Sequence, residues 1–191
     1  MTDSQTASTP LPAGRYTATA IALHWAIATA ALIAVGLALT VERLDLGDTK
    51  DALLELHKSV GSLIWVLMVA RLGWRLGHPP PAPVVQPAWQ RLAAKAVHAT
   101  LYVLLLAMPV TGYVSVAARG RTTTVFGLFD LPRWVPLDRG LARTAENVHD
   151  LGQYALYGLV ALHVGAGLYH HFVARDRVLE RMWPFGRGRG E

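Results

Sequence analysis

The run LGQYALYGLVALHVGAGLYHHFVA, Leu151 to Ala174, holds no Asp, Glu, Lys or Arg. A helix needs about 20 apolar residues to cross about 30 Å of hydrocarbon, and this run exceeds that. Two further runs match it. Ala18 to Val41 and Ala96 to Ala118 are equally free of acids, Lys and Arg. A fourth, Ser59 to Leu76, is clean to Ala70 and then carries Arg71 and Arg75. Their long side chains can reach the interface. The expected fold is an all-α membrane protein, a four-helix transmembrane bundle with helices over residues 16–41, 52–76, 91–118 and 142–175. Pro109 lies inside the third span, where a membrane bundle tolerates a kink.

The composition points the same way. Of 191 residues, 52% are hydrophobic and 16% charged, against about 25% charged in soluble domains. There is no cysteine. Disulfides, thiolate zinc sites, iron–sulfur clusters, covalently attached c-type haem and cysteine nucleophiles are therefore excluded. Net charge is +5 with histidine neutral. The basic residues fall between apolar runs, so membrane topology accounts for them and no nucleic-acid partner is expected. Residues 1–14 read as a disordered polar tail, 15–183 as the membrane domain and 184–191 as a basic tail. Span 1 is too long for a signal peptide's apolar region of about 7–15 residues.

Loop charges set a direction. The second loop and its flanks carry Arg71, Arg75, Arg91 and Lys95 with no acid. The first loop region carries Glu42, Asp45, Asp48, Asp51 and Glu55 against Arg43, Lys50 and Lys58. The C-terminal tail adds Arg175, Arg177, Arg181, Arg187 and Arg189. The positive-inside rule then predicts that the second loop and both termini face the cytoplasm. The third loop, Arg119 to Arg143, is rich in apolar residues and is expected to cap the outer end.

Ionisable groups are expensive inside a bilayer. The chain has eight histidines, and only His78 lies plainly in a loop. With that topology His57 and His149 lie near the outer end, on spans 2 and 4. His24 and His163 lie toward the inner end, on spans 1 and 4. His149 and His163 are 14 residues apart, which puts them on one helix face about 21 Å apart along the axis. Two imidazoles facing across a bundle are what a six-coordinate b-type haem requires. Gly61, one turn from His57, and the glycines of span 4 offer close approach. Interhelical hydrogen bonds and a proton relay, as in a proton-coupled transporter, are the competing readings. A non-haem metal site lacks a carboxylate near His24 or His163.

These residues resemble the bacterial cytochrome b561 family, in its superoxide oxidase-like branch. The resemblance rests on Ile21-Ala22-Leu23-His24-Trp25, Leu56-His57-Lys58-Ser59-Val60-Gly61 and Arg71-Leu72-Gly73-Trp74-Arg75 before a proline run. It continues through His98, the stretch from Leu104 to Gly112, Arg119-Gly120, His149, Leu162-His163 and His170-His171-Phe172. It implies two b haems, ligated by His57 with His149 on the outer side and by His24 with His163 on the inner side. It implies a multi-pass protein of the bacterial inner membrane. Its function would be to pass electrons from superoxide on the outer side to ubiquinone. The alternative the family offers is a haem b subunit relaying electrons between a partner dehydrogenase and the quinone pool.

Within that reading, His170 is seven residues beyond His163 and about 10 Å lower on nearly the same face. It is a quinone-site candidate with Arg91 and Lys95. Arg71 and Arg75 are candidates for inner haem propionates, or simple interfacial anchors. His98 is a candidate brace for an inner propionate or a helix contact. Lys50, Lys58, Arg119, Arg121, Arg133, Arg139 and Arg143 are the outer cations available to draw in an anion.

Overall fold

The computed structural model describes residues 14–185. The expected N-terminal tail, apart from Gly14, and residues 186–191 lie outside the described residues. Four long helices follow in order: α1 (Ala18–Val41), α2 (Asp48–Gly77), α3 (Ala88–Ala117) and α4 (Arg139–Tyr169). All four are long and apolar enough to cross a membrane. Helix is the form such a chain must take, because lipid offers no partner to a free backbone N–H or C=O. Helix α2 begins four residues before the apolar reading placed it. Its extra turn carries Asp48 and Asp51, which suit a helix N-terminus.

Helices α1 and α2 form an antiparallel pair with constant register. The Trp74 indole donates to Thr17 Oγ1 (3.0 Å), Arg71 Nη1 to the Ala20 carbonyl (2.7 Å), and the His57 ring meets the Ala34 carbonyl (3.0 Å). Each step up α1 equals a step down α2. Between these contacts lies the apolar core of Ile27, Ala30, Ala34, Val60, Ile64 and Met68. Helix α3 packs on α2, and α4 packs on α3. Helix α4 makes little backbone contact with α1 or α2, and the facing histidines span that separation.

One end of the bundle, here the cap end, is closed by residues 118–138. Gly120, at φ +80°, turns the chain out of α3, and Arg121 N–H donates back to the Val116 carbonyl (3.2 Å). A small hairpin follows, β1 (Thr124–Val125) with β2 (Phe129–Asp130). Its turn places Phe126 and Gly127 at positive φ, and Leu128 N–H donates to the Val125 carbonyl (2.9 Å). Ser59 Oγ, almost fully buried, accepts from Phe126 N–H (2.9 Å) and lies 3.2 Å from the Thr124 carbonyl. The hairpin is thereby fixed two residues from His57, and the expected cap is present.

The opposite, tail end gathers residues 14–17, 78–87 and 175–185. The Trp25 indole donates to the Met182 carbonyl (2.7 Å), and Arg181 donates to Gly14 (3.0 Å) and Ala82 (2.7 Å). Arg181, read from sequence as a tail charge, is buried.

Candidate functional site

The structure brings the histidines together as two pairs at two levels. Near the cap end, His57 of α2 faces His149 of α4 with ring centres 6.3 Å apart and planes at 81°. Toward the tail end, His24 of α1 faces His163 of α4 at 6.2 Å and 70°. A metal–imidazole bond is about 2 Å and the bonding nitrogen sits about 1 Å from the ring centre, so rings opposed across one metal have centres about 6 Å apart. Both pairs match that spacing. Each joins α4 to a helix on which α4 does not pack. The donor set is purely imidazole, a pair that suits a six-coordinate haem iron. Among the described residues no group of three or more His, Cys, Asp or Glu converges as a metal-ion site.

The cap-side pair is braced. His57 Nδ1 lies 3.0 Å from the Ala34 carbonyl, and His149 Nδ1 lies 3.0 Å from the Met108 carbonyl. A carbonyl only accepts, so each ring carries its hydrogen on Nδ1 and leaves Nε2 for a metal. Thr111 Oγ1 donates to the same Met108 carbonyl (2.9 Å) and lies 3.2 Å from His149 Nδ1. Gly112 completes the seat, since a Cβ there would come 3.2 Å from His149 Cε1. These supports were missed in the sequence. Backbone carbonyls carry no residue signature, and Gly112 was noted only as the end of the stretch from Leu104. Gly112→Val is expected to displace the His149 ring and, if this pair holds a haem, to weaken its retention about tenfold or more, in line with lost ligand support. Titration of the apoprotein with hemin checks it.

The tail-side pair has other neighbours. Neither His24 nor His163 makes a ring hydrogen bond among the described residues. His98 of α3 lies 5.2 Å from His163, too close for the two to oppose across one metal. Arg71 is held by Tyr102 Oη (2.9 Å) and by the Ala20 carbonyl, one turn from His24, and Arg75 lies over the Tyr102 ring. Both arginines are therefore at the level of this pair. Arg91 donates to the Gln86 carbonyl (2.9 Å) beside its own helix start. Lys95 is exposed, and neither residue contacts His170. His170 instead pairs with Asp176, Nδ1 to Oδ2 2.5 Å.

Of the cations expected at the outer end, all but Arg133 fall at the cap end into paired residues or one shared hollow. Lys50 donates to the Leu44 carbonyl (3.0 Å), Lys58 pairs with Glu55 and reaches Thr122, and Arg119 pairs with Glu146. Arg121, Arg139 and Arg143 line one hollow of about 730 Å³ together with Arg119, Asp138 and Glu146. Asp138 caps α4 by accepting from Leu141 N–H (3.0 Å) and Glu146 pairs with Arg119, and among the described residues none of the three other arginines forms an ion pair. Glu146 lies one turn from His149, which puts the hollow next to the cap-side pair.

A family model described as prokaryotic cytochrome b561 matches residues 15–185. Cytochrome b561 homolog 2 of Escherichia coli (strain K12) is 36% identical over 174 residues, covering 88% of this chain and 90% of that protein. Cytochrome b561 homolog 1 of the same organism is 33% identical over 178 residues, covering 89% and 97%. A probable superoxide oxidase CybB of Yersinia pestis is 30% identical over 175 residues, covering 91% and 98%.

Proposed function

From the premise that the chain belongs to the prokaryotic cytochrome b561 family, whose members are membrane proteins that bind haem b and transfer electrons, we propose that it is a superoxide:ubiquinone oxidoreductase holding two b haems. The observation that carries this reading is the pair of 6.2–6.3 Å imidazole separations at two levels of the bundle. His57 and His149 hold the cap-side haem, and His24 and His163 the tail-side one. Haem b held by two imidazoles supplies one-electron transfer with no open position on the iron.

The chain's own residues do the rest. Ala34 and Met108 hold the cap-side rings in the ligating tautomer. Arg71 and Arg75 offer positive charge to carboxylates at the tail-side level. Arg121, Arg139 and Arg143, with Arg119 against Asp138 and Glu146, give a hollow of net positive charge beside the cap-side pair, suited to drawing in the small superoxide anion. At the tail end His170 offers a ring nitrogen to a quinone carbonyl, with Arg91 and Lys95 on the same side of the bundle. The charge pattern orients the cap end outward and both termini toward the cytoplasm, in a bacterial inner membrane. The membrane quinone and superoxide are then the redox partners.

Stopped-flow mixing tests this. Superoxide should reduce the haems, and a short-chain ubiquinone should reoxidise them. Arg139→Glu with Arg143→Glu is expected to slow reduction by superoxide about tenfold at low ionic strength, with the gap closing as salt is added. The final extent of reduction by excess dithionite should not change. A protein that superoxide leaves oxidised, but that co-purifies with a dehydrogenase in mild detergent, would assign the donor role to that partner.

A further inference from the structure

The end of α4 is built unlike the rest of it. After Tyr169 the helix widens into a π-helical turn, His170–Ala174. Arg175 then takes a left-handed conformation, φ +51°. In a continuing α-helix, residues 170 and 176 would be about 9 Å apart along the axis and could not touch. Here the turn folds Asp176 back beneath His170. Asp176 N–H donates to the His170 carbonyl (3.1 Å). Its Oδ1 accepts from Val178 N–H (3.0 Å), and its Oδ2 faces His170 Nδ1 at 2.5 Å. Both side chains are mostly covered, 16% and 27% exposed. A non-glycine residue at positive φ is unfavourable, and π turns recur at functional sites. Among the contacts this unfavourable backbone makes is a carboxylate on the Nδ1 of the proposed quinone-site histidine.

The quinone reaction needs something there. Two superoxide anions give up one electron each and leave as dioxygen. The quinone gains two electrons and two protons to become the quinol. Superoxide brings no proton, so both come from water by way of the protein.

We propose that Asp176 is the positioning residue of a His170–Asp176 dyad that exchanges these protons. It holds the Nδ1 hydrogen of His170 and fixes the ring, so that exchange with the quinone oxygen runs at Nε2 alone. His170 delivers a proton from Nε2 to one carbonyl oxygen. It regains one from water at the tail end and delivers the second. This rests on the quinone reading above and assigns its proton route.

The test uses the intact haem-loaded protein in detergent, reduced beforehand and mixed with a short-chain ubiquinone. Asp176→Ala is expected to slow haem reoxidation about 10–100-fold, less than the roughly 10²–10⁴-fold a positioned proton donor itself contributes, because Asp176 acts only through His170. Haem content and absorption spectrum should match wild type. Asp176→Asn, whose carbonyl can still accept the Nδ1 hydrogen, should recover much of the rate and serves as the second variant should the alanine form fold poorly. In a His170→Gln background, Asp176→Ala should cost nothing further, because the aspartate acts only through that ring. Wild-type rates in both aspartate variants, or an undiminished loss in the His170→Gln background, would overturn the proposal. A wild-type protein that ubiquinone fails to reoxidise would instead remove the quinone reading, and this route with it.

Discussion

On the two-haem reading proposed above, His57→Ala and His149→Ala should each purify with one haem b per chain, against an expected two for wild type. His24→Ala and His163→Ala should do the same at the other level. The expected loss is half of the Soret absorbance per polypeptide in every single variant. It should be nearly complete in a His149→Ala/His163→Ala double variant, because α4 supplies a ligand to both levels. The reason is geometric. Each pair has only two facing rings at the separation a shared metal requires, 6.3 Å and 6.2 Å. His98, the other imidazole near the tail-side pair, stands 5.2 Å from His163 and is too close to oppose it without movement. Pyridine haemochrome quantification against protein concentration measures the result. Two haems retained in both His57→Ala and His149→Ala would end the assignment of that level.

Arg181→Ala should be the most damaging single change away from the histidines. Arg181 is 7% exposed. It donates through Nε to Gly14 and through Nη2 to Ala82, and it lies over the Tyr16 ring (5.9 Å). Its own carbonyl accepts from Tyr16 N–H (3.3 Å). One guanidinium thus joins the start of the chain, the α2–α3 connection and the C-terminal segment. Hydrogen bonds from a charged donor contribute about 1.5–3 kcal/mol each, so truncation should cost about 3–5 kcal/mol. That corresponds to a thermal midpoint lowered by roughly 10 °C. Arg181→Lys should recover only part, because an ammonium lacks the fork that spans two carbonyls. A midpoint equal to wild type in Arg181→Ala would show that the tail end does not depend on this residue.

The fold was legible because lipid reduces the problem to length. Three charge-free runs and one ending in Arg71 and Arg75 place four helices, and the structure has four. The histidine pairing was legible because depth follows from position along a straight helix. Nothing in the residue types showed which backbone carbonyls would brace His57 and His149, since every residue carries one. Nor did the sequence show that Arg181 turns inward while neighbouring tail charges such as Arg177 stay exposed. That depends on where Gly14 and Ala82 present their carbonyls, residues far off in the chain. The cap-end cations were visible as a count but not as a site. Pairing with Glu55 and Glu146 removes Lys58 and Arg119 from the free charge, and only folding brings Arg121, Arg139 and Arg143 together. Asp176 carried no signal in the sequence, because the π turn that brings it under His170 cannot be read from residue types.

The unequal support of the two histidine pairs gives the molecule a polarity. Imidazoles whose far nitrogen gives its hydrogen to a carbonyl are stronger electron donors to a metal, and only the cap-side rings have that help. The tail-side pair instead sits by the fixed guanidinium of Arg71, a charge that welcomes an added electron. An iron held at the first level would thus be harder to reduce than one held at the second. The bundle resembles a ramp more than a level wire, and it descends from the hairpin toward the chain ends.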